Sequence, residues 1–222
     1  MGAPPRKGAL MAWRREEAYR RLARKMGYRA RSAFKLKQLS SRYSLLHRGE
    51  VVVDLGAAPG GWMQVSREEV GEEGFVLGVD LQPIPPFQEP NVRTLVGDLL
   101  DPSTAELILS HLPRKADVLL SDASPKISGV WRVDHARSLE LAEAALRLAE
   151  KVLREGGKAL IKVFQGEGLE DFLREFRRRF EFTKVSKPPA SRKGSAEVYV
   201  VGKGYRGISG RAPRSSQRGH PS

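Results

Sequence analysis

From residue 51 onward the chain alternates between two hydrophobic rhythms. Short aliphatic runs bounded by Gly, Pro, Asn or Asp read as strands; stretches with apolar positions three and four apart read as helices. The runs at 51–55, 75–80, 92–96, 116–121 and 158–164 predict strands. The stretches at 60–70, 103–112, 135–154 and 169–180 predict helices, the last started by Gly168 and rich in arginine. Two further strands, 182–187 and 196–202, follow with only a loop between them. Ahead of all this, 9–26 mixes basic and apolar positions as a helix would, and 30–46 predicts a second helix with Ala33, Leu36 and Leu39 near one face.

Strand–helix alternation predicts an α/β fold: a doubly wound, mostly parallel seven-stranded sheet preceded by a helical extension. The loop between the last two strands is too short for a crossover, so one closing strand should be antiparallel. Residues 9–202 form one domain on this reading. The stretches 1–8 and 203–222, the latter rich in Gly, Ser, Arg and Pro, are expected to be disordered.

Composition narrows the setting. A chain of 222 residues supports one sizeable core. It has no cysteine, so disulfides and thiolate metal sites are excluded, and His47, His111, His135 and His220 are too scattered to hold a metal. No apolar run approaches the roughly 18 residues of a membrane span, and no signal-peptide core is visible. A cytoplasmic monomer with no membrane contact is expected.

Charge points to a partner. The total is +13, but residues 1–48 carry +12 and residues 203–222 carry +5, leaving −4 between them. A mildly acidic core with basic ends is the footprint of a nucleic-acid binder. The basic helices at 9–48 are expected to straddle a crevice and hold phosphates. Arg174, Arg177, Arg178 and Arg179, with Lys184, Lys187, Arg192 and Lys193, are expected to form a second basic zone near Glu197.

The stretch DLGAAPGGW (54–62) follows three valines as a strand breaking into a tight loop. In a doubly wound sheet, ligands bind beyond the carboxyl ends of the strands. Asp54, Asp80, Asp98 and Asp122 lie at or just past four such ends. A carboxylate after the second strand suits ribose hydroxyls and another can accept from an adenine amine, so the ligand is expected to contain adenosine. Gly56, Ala58 and Gly61 nearly match a dinucleotide fingerprint, but Pro59 removes an amide that a pyrophosphate would use. S-adenosylmethionine is favoured over NAD, which stays open.

Two charges sit where strands should be buried. Lys162 lies inside Ala-Leu-Ile-Lys-Val-Phe, and Glu197 lies between Ala196 and Val198. Buried charges are rare unless paired, so a structural ion pair or a functional site is implied.

Four segments in order, DLGAAPGGW, SDASPKISG, IKVFQGEG and SAEVYVV, closely resemble the FtsJ/RrmJ family of RNA 2′-O-ribose methyltransferases, over residues 28–202. The resemblance implies a Rossmann-like methyltransferase fold and S-adenosyl-L-methionine as cofactor. It implies a catalytic tetrad of Lys35, Asp122, Lys162 and Glu197, and cofactor contacts from Gly56, Gly60, Trp62, Asp80, Asp98 and Asp122. The fourth-strand motif reads DASPKISG where ribosomal members usually read DMAPNMSG, with Lys126 in place of a common Asn. Lys162 is then expected to handle the proton of the attacking hydroxyl. Asp122 and Glu197 would orient it, and Lys35 would steer the hydroxyl or lower the pKa of Lys162.

The function implied is 2′-O-methylation of a uridine in large-subunit (23S) ribosomal RNA, within the large ribosomal subunit, with RNA rather than DNA as partner. Three alternatives stand beside it: the same chemistry on tRNA, a non-catalytic RNA-binding assembly factor, and a NAD-dependent dehydrogenase.

Overall fold

The computed structural model describes residues 7–192 and 194–207, with side chains from Glu16 onward. Two helices open the chain: α1 (Lys7–Lys25) and α2 (Ala33–Tyr43). Then follow β1 (Val51–Leu55), α3 (Gly61–Val70), β2 (Phe75–Asp80), β3 (Val92–Val96), α4 (Thr104–His111), β4 (Ala116–Ser121) and α5 (Trp131–Val152). The series closes with β5 (Leu153–Phe164), α6 (Leu169–Arg179), β6 (Phe180–Ser186) and β7 (Glu197–Tyr205).

The seven strands form one sheet in the order β3-β2-β1-β4-β5-β7-β6. Every neighbouring pair from β3 through β5 is parallel, and β7 runs antiparallel to both β5 and β6. The strand order reverses between β1 and β4, so their carboxyl ends flank the crevice where such sheets bind ligands.

The alternation of side chains across the pleat builds two cores. Val51, Val53, Leu55, Ile161, Val163, Val198 and Val200 pack on the α4–α5–α6 face. Val52, Leu160, Tyr199 and Val201 pack on the face covered by α2 and α3. By the same parity, Asp54, Lys162 and Glu197 belong to this second face. Ala33, Leu36 and Leu39 are buried there too, as their spacing predicts. No described helix is long and apolar enough to cross a membrane.

Some expected boundaries shift. α2 is shorter at both ends than 30–46; it stops where Ser44 turns left-handed and donates its N–H to the Ser40 carbonyl. Leu45 and Leu46 stay buried beyond the helix. β5 begins at Leu153, five residues early, with a register shift opposite Ala116 and Val118. β7 continues to Tyr205, which corrects the expectation that disorder begins at 203. Lys203 pairs with both Lys158 and Phe182, and Tyr205 pairs with Phe180 and is buried against its ring at 5.6 Å. Backbone pairing on two sides and burial of an aromatic outweigh the glycine-rich local composition. The rest of the expected disorder, at 1–6 and 208–222, lies outside the described residues.

Candidate active site

The loop after β1 is forced into contact with the loop after β4. Gly56 adopts φ +70°, and a Cβ there would lie 2.5 Å from the Ala123 Cα. Only glycine lets the two chains pass this closely. Asp80 ties the same loop to β2: one carboxylate oxygen accepts from Ala58 N at 3.0 Å, the other from Gln82 N at 2.9 Å.

A cavity of about 450 Å³ opens at this point, and Gly56, Asp80, Asp98 and Asp122 all line it. Its wall carries four carboxylates, with Glu140, against two cations, Lys126 and Arg137. Behind it, Asp54 is fully buried, and neither of its carboxyl oxygens has a partner among the described residues. Burial, and then the charges of Asp122 and Asp80, push the Asp54 carboxyl well above the ordinary range, which favours its protonated form. An acceptor-rich wall of this kind fits a cofactor that presents hydroxyls, an amine and positive charge. It does not fit a pyrophosphate, which brings charge of the wall's own sign. The residues therefore suit S-adenosylmethionine, not NAD.

On the α2/α3 face, beside this cavity, four charged side chains converge from four elements. Lys35 on α2 reaches Glu197 on β7 at 2.9 Å and Asp122 at 3.9 Å. Lys162 on β5 reaches the Asp122 carbonyl at 2.7 Å, its carboxylate at 3.2 Å and Glu197 at 3.9 Å. The antiparallel register makes this possible, because Lys162 stands opposite Tyr199 and Phe164 opposite Glu197. Both lysines are buried. With two cations and two carboxylates the cluster is neutral, which is what makes its burial tolerable.

Tyr199 binds the group together. Its hydroxyl donates to Asp122 Oδ1 at 2.7 Å and accepts from Lys35 Nζ at 3.0 Å. Its ring lies 5.8 Å from that of Trp62, whose indole N–H is committed to the Ser32 carbonyl at 2.8 Å. Ser195 Oγ donates to the far oxygen of Glu197 at 2.9 Å. Tyr199 and Ser195 are absent from the residues that sequence reasoning singles out. For Tyr199 the available signal is the strand period of two, which puts it on the same face as Glu197; Ser195 precedes the strand and had no such signal.

The cluster sets its own ionisation. Burial pushes the Asp122 carboxyl up, but the charges of Lys162 and Lys35 and the hydrogen bonds of Tyr199 and Lys162 outweigh it and hold the group below its ordinary range. Glu197 is likewise raised by burial but held low on balance, chiefly by the charge and hydrogen bond of Lys35. Burial, then the charges of Asp122 and Glu197, drive the Tyr199 phenol well above its usual value, so it stays a neutral donor.

The structure thus brings all four tetrad residues together, and puts Gly56, Asp80, Asp98 and Asp122 on one cavity. It does not bring Gly60 or Trp62 to that cavity's wall. Gly60 instead makes room for Arg29, whose guanidinium donates to the Pro59, Pro85 and Pro86 carbonyls and lies 3.9 Å over the Phe87 ring. Trp62 supports Tyr199.

The expected second basic zone near Glu197 is also corrected. α6 runs away from the site, and Arg206 N bonds the Arg179 carbonyl beside Tyr205, at the opposite end of β7 from Glu197. The strand is nine residues long, so those ends lie on the order of 25 Å apart. The α6 arginines are engaged locally: Arg174 with Asp171, Arg177 with Glu170, Arg178 and Arg179 with Glu175. Lys187 does lie near Glu197, donating to the Ser195 carbonyl, but the Arg192 guanidinium pairs with Glu16 of α1 at 2.8 Å, and Lys193 lies outside the described residues. On α1, Arg20, Arg21, Arg24 and Lys25 are exposed.

Comparison with known proteins agrees with this geometry. The profile of the FtsJ-like methyltransferase family matches residues 28–205. A ribosomal RNA large subunit methyltransferase E from Methanothrix thermoacetophila is 51% identical over 193 residues, 87% of this chain and 74% of that protein. Among solved structures, a Plasmodium falciparum chain described as a ribosomal RNA methyltransferase superposes with a TM-score of 0.73 at 27% identity, covering 81% of this chain and 100% of that one. Aeropyrum pernix fibrillarin, solved with S-adenosyl-L-methionine, shares the fold with a TM-score of 0.54 at 17% identity, over 77% of this chain and 73% of its own.

Proposed function

The chain belongs to the FtsJ-like methyltransferase family, and from that premise we propose that it methylates the 2′-hydroxyl of a uridine in large-subunit ribosomal RNA, with Lys35, Asp122, Lys162 and Glu197 as its catalytic group. It is an RNA methyltransferase whose methyl donor is S-adenosylmethionine. The names of its relatives support ribosomal RNA as the substrate class. The observation that carries the site assignment is the double duty of Asp122. Its carboxylate is within 4 Å of both buried lysines, and the same residue lines the acidic cavity. Methyl donor and proton acceptor can then act on one oxygen.

When bound, S-adenosylmethionine supplies a sulfonium methyl that is already activated toward an oxygen nucleophile. What a ribose hydroxyl lacks is a place for its proton. Lys162 Nζ is the group to receive it, because its position is fixed from two sides by the Asp122 carbonyl and carboxylate. Nζ takes it as an amine, its own proton having left to solvent before the hydroxyl docks, and the Asp122 and Glu197 carboxylates then hold the ammonium that forms. Lys35 and Tyr199 hold those carboxylates in place. Alignment of the reacting atoms supplies much of the rest of the acceleration.

The exposed cations of α1 would hold RNA phosphates and fix the strand's register without reading its sequence. The test is transfer of labelled methyl to ribosomal particles, total ribosomal RNA and tRNA from a strain lacking the protein, with the label mapped by nuclease digestion. A single 2′-O-methylated uridine in large-subunit RNA is expected, lost in Lys162→Ala. Label confined to tRNA would move the substrate, and label on a base would overturn the 2′-hydroxyl assignment.

A further inference from the structure

The segment that follows Asp122 leaves an unusual amount of apolar surface in water. Ile127, Val130, Trp131 and Val133 are all exposed, four large apolar residues within seven positions. Such concentration marks an interaction site more often than chance exposure does. Trp131, the first residue of α5, is the largest of them and is 53% exposed.

Its ring is nevertheless held still. Phe164 stacks on it with planes 6° apart and centroids at 6.3 Å, and His135 lies one helical turn on at 5.7 Å. The preceding loop is anchored as well: the Asp134 carboxylate accepts from Ser128 N at 2.7 Å, from Ser128 Oγ at 2.7 Å and from Gly129 N at 3.2 Å. An aromatic fixed on one side and open on the other needs little ordering to bind a flat partner.

Its place relative to the chemistry is set by the sheet. Phe164 ends β5 two residues beyond Lys162, about 7 Å of strand, and pairs with Glu197. Trp131 therefore continues an aromatic surface that begins at the edge of the tetrad. The segment 126–133 contains Lys126 and Arg132, both exposed, and no acid. Arg132 lines the same depression as Trp131, together with Glu167, while Lys126 lines the acidic cavity beside Asp122; an open ring with a guanidinium beside it suits a base and its phosphate better than it suits an apolar protein segment.

We propose that Trp131 is a stacking platform for an unstacked RNA base, that of a nucleotide next to the one methylated, with Arg132 on an adjoining phosphate. This rests on the reading that the substrate is RNA. It adds a specific contact that neither the tetrad nor the cavity supplies.

The test uses Trp131→Ala and Trp131→Phe in the full chain. Methyl transfer to naked large-subunit ribosomal RNA and to assembled large subunits gives KM and kcat. Quenching of intrinsic fluorescence by a short single-stranded oligoribonucleotide reads the ring directly. Loss of one base stack is expected to raise the KM for naked RNA about tenfold in Trp131→Ala. Trp131→Phe should recover most of the difference, and the affinity for S-adenosylmethionine should stay unchanged. The wild-type quench should exceed that of Trp131→Phe, leaving only the signal of Trp13 and Trp62. An unchanged KM for naked RNA overturns the platform, and so does a defect confined to assembled subunits, which would assign the ring to a protein contact. A wild-type enzyme that methylates no RNA overturns the functional reading instead, and the quench then still decides whether Trp131 meets a base.

Discussion

Replacing Tyr199 by phenylalanine removes one oxygen and leaves the ring on Trp62. That oxygen makes two contacts, donating to Asp122 at 2.7 Å and accepting from Lys35 at 3.0 Å. The residue is fully buried, so water cannot take the oxygen's place without a cavity. A hydrogen bond to a charged group contributes about 1.5–3 kcal/mol. For a domain of this size that lowers the melting temperature by roughly 3–12 °C. If the same bond fixes Asp122 against Lys162 during transfer, kcat falls about ten- to hundredfold, since each 1.4 kcal/mol is a factor of ten. The pH dependence carries the sharper signature. The Tyr199 hydrogen bond helps hold the Asp122 carboxyl below its ordinary range. Its loss must raise that carboxyl, and the acidic limb of the single-turnover rate should move to higher pH. S-adenosylmethionine affinity, measured by calorimetry, should hardly change. A Tyr199→Phe enzyme with a wild-type rate and an unmoved acidic limb would refute the view that Tyr199 positions the carboxylate.

Lys162→Ala should abolish methyl transfer while leaving cofactor affinity within a few-fold, as equilibrium dialysis would show; residual turnover near wild type would remove Lys162 from the chemistry. Gly56→Ala puts a Cβ 2.5 Å from the Ala123 Cα at a φ of +70°, and should destabilise the fold by about 1–3 kcal/mol and weaken cofactor binding, both readable by urea denaturation with and without ligand. Asp54 has a folded pKa well above its unfolded one, so the stability it permits is fully present below the unfolded carboxyl value near 4 and is lost as pH rises toward the folded value, at about 1.4 kcal/mol per pH unit. Asp54→Asn should flatten that slope in urea titrations from pH 5 upward, and an unchanged slope would mean that Asp54 is ionised in the fold. RNA affinity should fall steeply with salt, and charge reversal at Arg21 and Arg24 should flatten that dependence far more than reversal at Arg174 and Arg178, whose charges are already paired on α6.

How much of this was legible follows from which interactions are local. Strands β1 to β4 match the runs at 51–55, 75–80, 92–96 and 116–121 because each is a short β-branched or aliphatic run bounded by turn residues, a local signal that holds even for β3 at the sheet's edge. The end of β7 was not legible, since Gly202 and Gly204 flank Lys203 there and only the pairing with Phe180 and the burial of Tyr205 make the segment a strand. Lys162 announced itself by standing alone among apolar neighbours. Tyr199 did not, because a tyrosine in a strand is ordinary until its hydroxyl is seen between Asp122 and Lys35. The α6 arginines misled for the opposite reason. Their proximity in sequence to the closing strands suggested proximity to Glu197, but the antiparallel direction of β7 puts Glu197 at the opposite end of the strand from α6's last turn.

The way α2 meets the sheet bears on what the N-terminal region is. Its basic composition alone is compatible with an RNA-binding arm attached to a finished catalytic domain. Yet Lys35 is buried within α2 and makes the shortest ion pair to Glu197, and Ser32, just ahead of α2, holds the Trp62 indole that supports Tyr199. Arg29 clamps the Pro59 carbonyl of the cofactor loop to the segment at Pro85 and Pro86. Remove α2, and Glu197 loses its nearest cation while Tyr199 loses its lysine partner; a buried pair broken in this way costs about 3–5 kcal/mol. A buried pair kept only for stability could be replaced by apolar side chains at little loss. Here the lysine completes a neutral cluster at the edge of an acidic cavity, on the helix that follows the exposed cations of α1. Tyr19 of α1 packs its ring on Phe34 and accepts from Gln38 Nε2, both on α2, so the exposed cations of α1 are joined by packing to the helix that carries Lys35.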